Sequence, residues 1–181
     1  RAGRSSAWAR SVPRGGMRPT TRLVVARSDG ASSSARATRS RRRVGLRERG
    51  DAELIAWLGS LPYQLVFVVH ANHGNELDES VATALRALGR AGATVLNQSV
   101  LLKGVNDSCE VLAALSERLF DAGVLPYYLH QLDKVQGSAH FEVPLERAKA
   151  IMAELMACLP GYLVPKLVQE IAGQPNKTPV F

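Results

Sequence analysis

The sequence predicts an α/β fold with a parallel sheet, and three observations lead to that prediction. Apolar runs rich in β-branched and aromatic residues, typical of strands buried on both faces, start near residues 64, 94 and 124. Their spacing of about thirty residues matches the length of one strand–helix unit. Stretches with helical apolar spacing lie between the runs, and this alternation favours parallel strands. An open doubly wound sheet and part of a (β/α) barrel both fit, and in either fold ligands bind at the carboxyl ends of the strands.

Four strands are expected in sequential neighbour order, with the helices on one face of the sheet. Short right-handed connections between parallel strands favour this order. The expected strands span residues 64–70, 93–100, 124–130 and 162–169. The fourth is the least regular, because Pro165 lacks the N–H group that a central strand position needs.

Four helices are expected before, between and after these strands, and most have a recognisable start. They span residues 51–58, 78–88, 107–120 and a stretch that begins near Pro144 and ends at Pro160 and Gly161. Asp51 and Asp107 are placed to cap two of them, and Glu110 lies three residues after Asp107, as in a capping box. Pro144 suits the first turn of the last helix, where a missing N–H group leaves no hydrogen bond unmade.

The net charge of +7 is distributed unevenly along the 181 residues. Residues 1–50 contain 14 arginines and two acidic residues, a net charge of +12, whereas residues 51–181 contain nine basic and 14 acidic residues, a net charge of −5. Residues 1–45 are rich in Arg, Ser, Ala and Gly and show no apolar period. Because such a segment buries too little apolar surface to offset its chain entropy, we expect a disordered arm outside the packed core.

Three explanations of this arm stay open. A nucleic-acid-binding tail would have Arg41, Arg42 and Arg43 as its densest part. An organelle transit peptide would also be rich in Arg and Ser and poor in acidic residues. The third explanation is a non-native segment, because the chain begins at Arg1 and the arm has the composition of a GC-rich reading frame translated out of register.

Length, composition and motifs exclude several classes of protein. The length suits one ordinary domain, and no run approaches the roughly 18 apolar residues of a membrane-spanning helix. Two cysteines cannot form a disulfide framework, and we interpret Cys109 and Cys158, on different predicted helices, as small packed residues. The sequence contains no Gly-rich phosphate loop, nucleophile elbow or H-E-x-x-H motif.

Polar side chains lie at or just after each predicted strand. They are His70, Asn72, His73 and Asn75 at the first strand, Asn97 and Gln98 at the second, His130 and Asp133 at the third, and Glu170 and Lys177 after the fourth. Parallel strands end at one edge of a sheet, so these side chains are candidates for a common site. Structural roles are the alternatives: His70 as a core histidine, and Gln98 as an amide that orders a loop. Asn75 or Asp78 would then be a helix cap.

The stretches HANHGNEL, NQSVLLKGVND, LPYYLHQLDKVQGSAHFEVP and GYLVPKLVQEIAGQPNKTPV closely resemble the lysine 2,3-aminomutase family. The nearest resemblance is to members that make (R)-β-lysine for the modification of elongation factor P. The likeness runs from about residue 46 to the end of the chain. It implies the C-terminal half of a TIM-like (β/α) barrel, preceded by the disordered arm, and a cytoplasmic isomerase that converts L-lysine to β-lysine.

The resemblance also implies cofactors and residue roles. Family members are radical S-adenosylmethionine enzymes that bind pyridoxal phosphate, and the lysine of the KTP motif, here Lys177, forms the internal aldimine. Asp133 and Glu170 match the two acidic residues that hold the distal ammonium of the substrate. His70 and Gln98 match the residues beside S-adenosylmethionine. These residue types suit the chemistry, because a partly buried lysine amine is readily neutral and paired carboxylates select a primary ammonium.

One family motif has no counterpart in this sequence. The four-iron four-sulfur cluster of the family is held by three cysteines in C-x₃-C-x₂-C spacing, and this chain has no such triplet, so no metal ligand is assigned. The expectation is an N-terminally incomplete form that is inactive alone. The alternative is a non-catalytic, degenerate half-barrel with a basic arm that binds nucleic acid or acidic partners. Half a barrel would leave a sheet edge and an apolar face uncovered, which predicts self-association.

Overall fold

The computed structural model describes residues 22–25, 52–133, 137–174 and 176–180. Their strands form one sheet whose spatial order is the order along the chain. The strands are β1 (Arg22–Val25), β2 (Leu65–His70), β3 (Thr94–Val100), β4 (Val124–His130), β5 (Lys166–Gln169) and β6 (Thr178–Pro179). The α-helices are α1 (Ala52–Gly59), α2 (Glu79–Arg90), α3 (Cys109–Asp121) and α4 (Leu145–Cys158).

The four central strands confirm the predicted parallel order. β2, β3, β4 and β5 pair parallel in sequence, and the register sets His70 beside Gln98 and His130 beside both Val100 and Val168. The carboxyl ends of these strands therefore lie along one edge of the sheet. β1 adds antiparallel to β2, and β6 adds antiparallel to β5. The return strand β6 is what brings residue 177 back to the carboxyl end of β5.

The core lies between one face of the sheet and the helices. Alternate residues of β2, among them Phe67 and Val69, join a single apolar cluster. Helices α1 to α4 each contribute to that cluster, for example through Leu58, Leu85 and Ile151. Each buried leucine or isoleucine contributes roughly 1.5–3 kcal/mol. The described helices therefore pack on one face, as expected, and no helix in the described ranges is long and apolar enough to cross a membrane.

Several element boundaries differ by one or a few residues from the sequence-based expectation, among them Pro144, which precedes α4 as its N-cap, and the starts of α3 and of the fourth parallel strand. Helix α3 is capped by Ser108, whose hydroxyl accepts from the Val111 N–H, and not by Asp107. Asp107 instead accepts a hydrogen bond from the Gly104 N–H, so it orders the loop before the helix. The fourth parallel strand starts at Lys166 rather than at residue 162, because residues 161–163 form a 3₁₀ turn and proline follows.

The Arg-rich arm departs from the expectation at one place. Arg22–Val25, within the segment expected to lie outside the core, forms strand β1 against β2. The rest of residues 1–45, including Arg41 to Arg43, lies outside the described residues, as does Asp51. The outer strands of the described sheet, β1 and β6, have four and two residues. Short edge strands limit edge-to-edge pairing, and self-association stays a prediction.

Candidate functional site at the carboxyl ends of the strands

Asn97 joins the ends of β2 and β3 through its side-chain amide. Its Oδ1 accepts from the Ala71 N–H at 2.9 Å, and its Nδ2 donates to the Ala71 carbonyl at 3.1 Å and to Ser99 Oγ at 2.9 Å. The side chain is 2% exposed. The three hydrogen bonds leave little capacity for a ligand, so Asn97 has a structural role.

Two further asparagines, Asn72 and Asn106, fix the loops that follow β2 and β3. Asn72 Oδ1 accepts from the Val100 N–H at 2.7 Å, and Asn106 Nδ2 donates to the Asn72 carbonyl at 2.8 Å. Asn106 also donates to the Val100 carbonyl and accepts from the Leu102 N–H. Asn106 is fully buried and was not predicted from the sequence. The sequence gives no indication of this role beyond the position of Asn106 in a loop, because its hydrogen-bond partners lie up to 34 residues away.

His73 and Asn75 belong to a capped 3₁₀ turn rather than to an open site. His73 Nδ1 accepts from the Asn75 N–H at 3.1 Å, and Glu76 Oε1 accepts from the backbone N–H groups of Asn72 and His73. This reciprocal arrangement is a capping box. Asp78 caps α2 by accepting from the Val81 N–H. The capping alternative is therefore confirmed for Asp78, whereas the cap of the 3₁₀ turn is His73 and not Asn75.

Lys177 is the centre of a different arrangement at the ends of β4 and β5. Its Nζ lies 3.1 Å from Glu170 Oε1 and 3.3 and 3.4 Å from Nε2 and Nδ1 of His130. It also lies 5.8 Å from the centroid of the Tyr128 ring, within the range of a cation–π contact. The side chains of Lys177 and Glu170 are 23% and 36% exposed.

The contact between Lys177 and His130 is with the face of the imidazole. An in-plane hydrogen bond would bring one ring nitrogen close and leave the other distant, whereas the two distances are nearly equal. Nε2 lies 3.3 Å from Gln98 Oε1, a contact that suits a ring with its proton on Nε2. His130 thus connects Gln98 on β3 with Lys177.

His130 is uncharged at neutral pH. Burial, followed by the charge of Lys177, lowers the pKa of His130 from 6.5 to about 4. The charge of His70 acts in the same direction, and that of Glu170 opposes it. An uncharged ring beside Lys177 avoids a second positive charge next to the amine.

Asp133 interacts electrostatically with Glu170 and Lys177. Burial raises the pKa of its carboxyl group, and the negative charge of Glu170 raises it further, while the positive charge of Lys177 lowers it. A cavity of about 400 Å³ opens beside these residues. Its lining comprises Gln131, Leu132, Asp133, Glu142, Leu145, Gln169 and Glu170. A cavity with three carboxylates favours a cationic ligand such as a primary ammonium.

The structure thus divides the predicted residues into two groups. Gln98, His130, Asp133, Glu170 and Lys177 meet at one end of the sheet, and His70 pairs with Gln98 in register beside them. Asn72, His73, Asn75 and Asn97 instead order the loops. Sequence reasoning gave His130 no specific role and missed Tyr128, although their places on β4 put them between the residues it had selected.

Cys109 and Cys158 lie apart from this group. Their Sγ atoms are 3.5 Å from each other across α3 and α4, although they are 49 positions apart in sequence. Cys158 is exposed, so the expectation that both are packed inside is wrong for that residue. Burial, together with the contact to Cys158, raises the pKa of the Cys109 thiol to about 11.

The described residues differ in how well they fit the implied cofactors. No three His, Cys, Asp or Glu side chains in the described ranges come together as a metal site, so these residues do not fit an iron–sulfur cluster. Lys177 does fit an aldehyde cofactor, because it presents a partly buried amine next to an acid, an aromatic ring and an uncharged imidazole.

No family model matches the chain. Its sequence is 58% identical over 117 residues to an L-lysine 2,3-aminomutase of Escherichia coli, covering 65% of this chain and 34% of that protein. The chain is a homologue of the L-lysine 2,3-aminomutases. The Haemophilus influenzae L-lysine 2,3-aminomutase is 50% identical over 75% of this chain, and that of Clostridium subterminale is 39% identical over 78%.

The chain spans 34–40% of the length of these aminomutases. A solved structure of a radical SAM methyltransferase from Sphaerobacter thermophilus has 20% sequence identity, a TM-score of 0.49, and covers 65% of this chain and 37% of that one. A likeness at that level carries no conclusion about the activity of this aminomutase homologue.

Proposed function

We propose that this chain forms the lysine-holding part of a lysine 2,3-aminomutase, an isomerase that converts L-lysine to β-lysine. The observation that carries the proposal is the ion pair between Lys177 and Glu170 at the rim of an acidic cavity that also contains Asp133. Homologues of this chain are named L-lysine 2,3-aminomutase, which supports the same substrate. The modification of elongation factor P in the cytoplasm is the finer form of the proposal and rests on the sequence resemblance.

Lys177 would hold pyridoxal phosphate through its amine. Pyridoxal phosphate and S-adenosylmethionine, when bound, supply the carbonyl and radical chemistry that side chains lack. The amine reacts with a carbonyl only when neutral. Glu170 Oε1 lies 3.1 Å from this amine and would position it, and the uncharged His130 ring adds no second positive charge beside it. His70 and Gln98, which are adjacent in register, would lie beside S-adenosylmethionine.

Asp133 and Glu170 would select lysine among amino acids. Both carboxylates line the cavity next to Lys177, so a substrate held near Lys177 directs its distal end toward them. Charge-assisted hydrogen bonds from a primary ammonium to two carboxylates are stronger than neutral ones. An amino acid with an apolar side chain would leave these carboxylates unpaired, which disfavours its binding.

Reductive fixation of pyridoxal phosphate tests the proposed role of Lys177. The full chain is incubated with pyridoxal phosphate, reduced with borohydride and mapped by peptide mass spectrometry. We expect the label on Lys177, loss of the cofactor absorbance band in Lys177→Met, and retention of the band in Lys166→Met, since Lys166 lies on β5 outside this site. Equal labelling of all the lysines in the wild-type chain would contradict the proposal.

A further inference from the structure

Lys177 is itself a primary ammonium with the same chemistry as the end of a lysine substrate. Its Nζ makes a 3.1 Å contact with Glu170, one of the carboxylates that line the acidic cavity. An incoming ammonium would need the same oxygen atoms. The chain without a cofactor therefore places its own lysine where the distal end of a lysine ligand would bind.

The electrostatics make simultaneous occupation unfavourable. Lys177 and Glu170 both shift the titration of Asp133, in opposite directions, which shows that the three charges are close enough to act on one another. The neighbouring imidazole of His130 is uncharged and is contacted through its face, so it offers Lys177 no negative charge as an alternative. A second ammonium at Glu170 would face the positive charge of Lys177 at short range in a partly buried site.

We propose that Lys177 and the distal ammonium of the substrate compete for Glu170, so that attachment of Lys177 to an aldehyde cofactor opens the ammonium site. The inference rests on the proposed function and adds an order of binding to it: the cofactor aldehyde first, then lysine. The free chain is closed to lysine by its own side chain.

The chemistry of attachment accounts for the release of Glu170. The ammonium of Lys177 first loses one proton to solvent, and the neutral Nζ gives its lone pair to the aldehyde carbon. The carbonyl oxygen leaves as water with the two remaining protons of the amine, and a C=N bond forms. No electrons are gained or lost overall. The resulting imine nitrogen carries at most one N–H group in place of the three of an ammonium, so the contact with Glu170 is weakened and its oxygen atoms become available to another ammonium.

Binding of L-lysine in the absence of pyridoxal phosphate is the first test, measured by calorimetry on the full chain. Lys177→Met removes the internal ammonium, and we expect it to bind L-lysine at least tenfold more tightly than the wild type. Lys177→Arg keeps a positive charge and should bind as weakly as the wild type, and Lys166→Met serves as the matched control. L-norleucine, which lacks the distal ammonium, should show no gain with Lys177→Met.

The rate of pyridoxal phosphate fixation is a second test that needs no lysine ligand. Glu170→Gln removes the partner that stabilises the ammonium, so we expect fixation at Lys177 to be several-fold faster at pH 7 and equal to wild type at high pH. Glu146→Gln is the control, because Glu146 pairs with Lys149 on the surface of α4.

The outcomes separate this inference from the proposed function. If the label maps to Lys177 but Lys177→Met binds L-lysine no more tightly than wild type, the competition is wrong and the proposed function stands. Weaker binding by Lys177→Met, or unchanged fixation in Glu170→Gln, would also overturn the competition. If no variant binds L-lysine, both the ammonium site and the competition are wrong.

Discussion

The polar residues at the ends of β2 and β3 differ from those at the ends of β4 and β5 in what they contact. Asn72, Asn97 and Asn106 bond mainly to backbone groups of neighbouring loops. Glu170 and Lys177 contact charged or titratable side chains and line or border a cavity. Residues of similar polarity at equivalent strand ends therefore differ in their surroundings: one group holds loops in place, and the other forms a charged cluster beside a cavity.

The two groups of side chains differ in how much hydrogen-bonding capacity they have left for a ligand. A buried amide with its donors and acceptor occupied has nothing to offer a ligand and is costly to remove. A partly exposed ion pair contributes little to stability, because water solvates both charges well when they separate. Mutations in the first region should therefore change the free energy of unfolding, and mutations in the second should change binding.

The largest effect on stability is expected for Asn97→Ala. The substitution removes three hydrogen bonds and leaves the buried N–H and carbonyl groups of Ala71 without these partners. We expect the free energy of unfolding to fall by about 3 kcal/mol. Denaturant unfolding measures this, with Asn75→Ala as an exposed control that should stay within about 0.5 kcal/mol of wild type. Equal effects of the two substitutions would remove the distinction between the regions.

The stability of the folded chain is expected to depend on pH because of His130. Its pKa is about 4 in the folded chain and 6.5 for an ordinary histidine, so the unfolded chain binds the proton first as pH falls. Stability contributed by the uncharged ring is therefore present above pH 6.5 and is lost between about pH 6.5 and 4. Allowing for partial exposure, the loss is about 2 kcal/mol.

The contribution of His130 is isolated by comparing stability at pH 7 and pH 4.5 in wild type and His130→Gln. The wild type should lose more stability over this interval than the variant. His140→Gln is the control and should behave as wild type, since His140 lies on an exposed 3₁₀ turn. A pH dependence unchanged in His130→Gln would contradict the neutral assignment of this ring.

A smaller effect is expected for His73→Ala in the capped turn after β2. The substitution removes the ring nitrogen that accepts from the Asn75 N–H, while Glu76 still accepts from two backbone N–H groups. We expect destabilisation of about 0.5–1 kcal/mol with no change in pyridoxal phosphate fixation at Lys177. Loss of fixation in this variant would place His73 in the site rather than in the scaffold.

The smallest effect on the free energy of unfolding is expected for Asp133→Asn, and this substitution should stabilise the chain rather than destabilise it. The pKa of Asp133 is raised by burial and by Glu170, so its ionised form is less favourable in the folded chain than in the unfolded chain. Its removal should raise the free energy of unfolding at pH 7, and the difference from wild type should shrink below the ordinary pKa of aspartate. Destabilisation at pH 7 would show that Asp133 is held by favourable contacts.

The sequence predicts the parallel sheet because the apolar runs and helices repeat with a constant spacing. It does not predict strand β1, because the four residues of Arg22–Val25 are surrounded by a segment without apolar period. It also selects Asp107 rather than Ser108 as the cap of α3, since both are good capping residues in adjacent positions.

The candidate site is predictable only in part. The residues that meet around Lys177 could be selected because parallel strands share a carboxyl edge and because their motifs resemble a family. The scaffold role of Asn97 could not, because its partner Ala71 lies 26 residues away and only the folded chain brings them together. The face contact of His130 likewise depends on the position of Lys177 in three dimensions.

We propose that the fold creates one reactive lysine, Lys177, at the ends of β4 and β5. The most direct measurement is borohydride fixation of pyridoxal phosphate over a denaturant series, with the label quantified separately on Lys103, Lys134, Lys149, Lys166 and Lys177. We expect Lys177 to carry most of the label in the folded chain, and we expect this preference to disappear at the denaturant concentration at which the chain unfolds. A distribution over the five lysines that is the same in the folded and unfolded chain would contradict it.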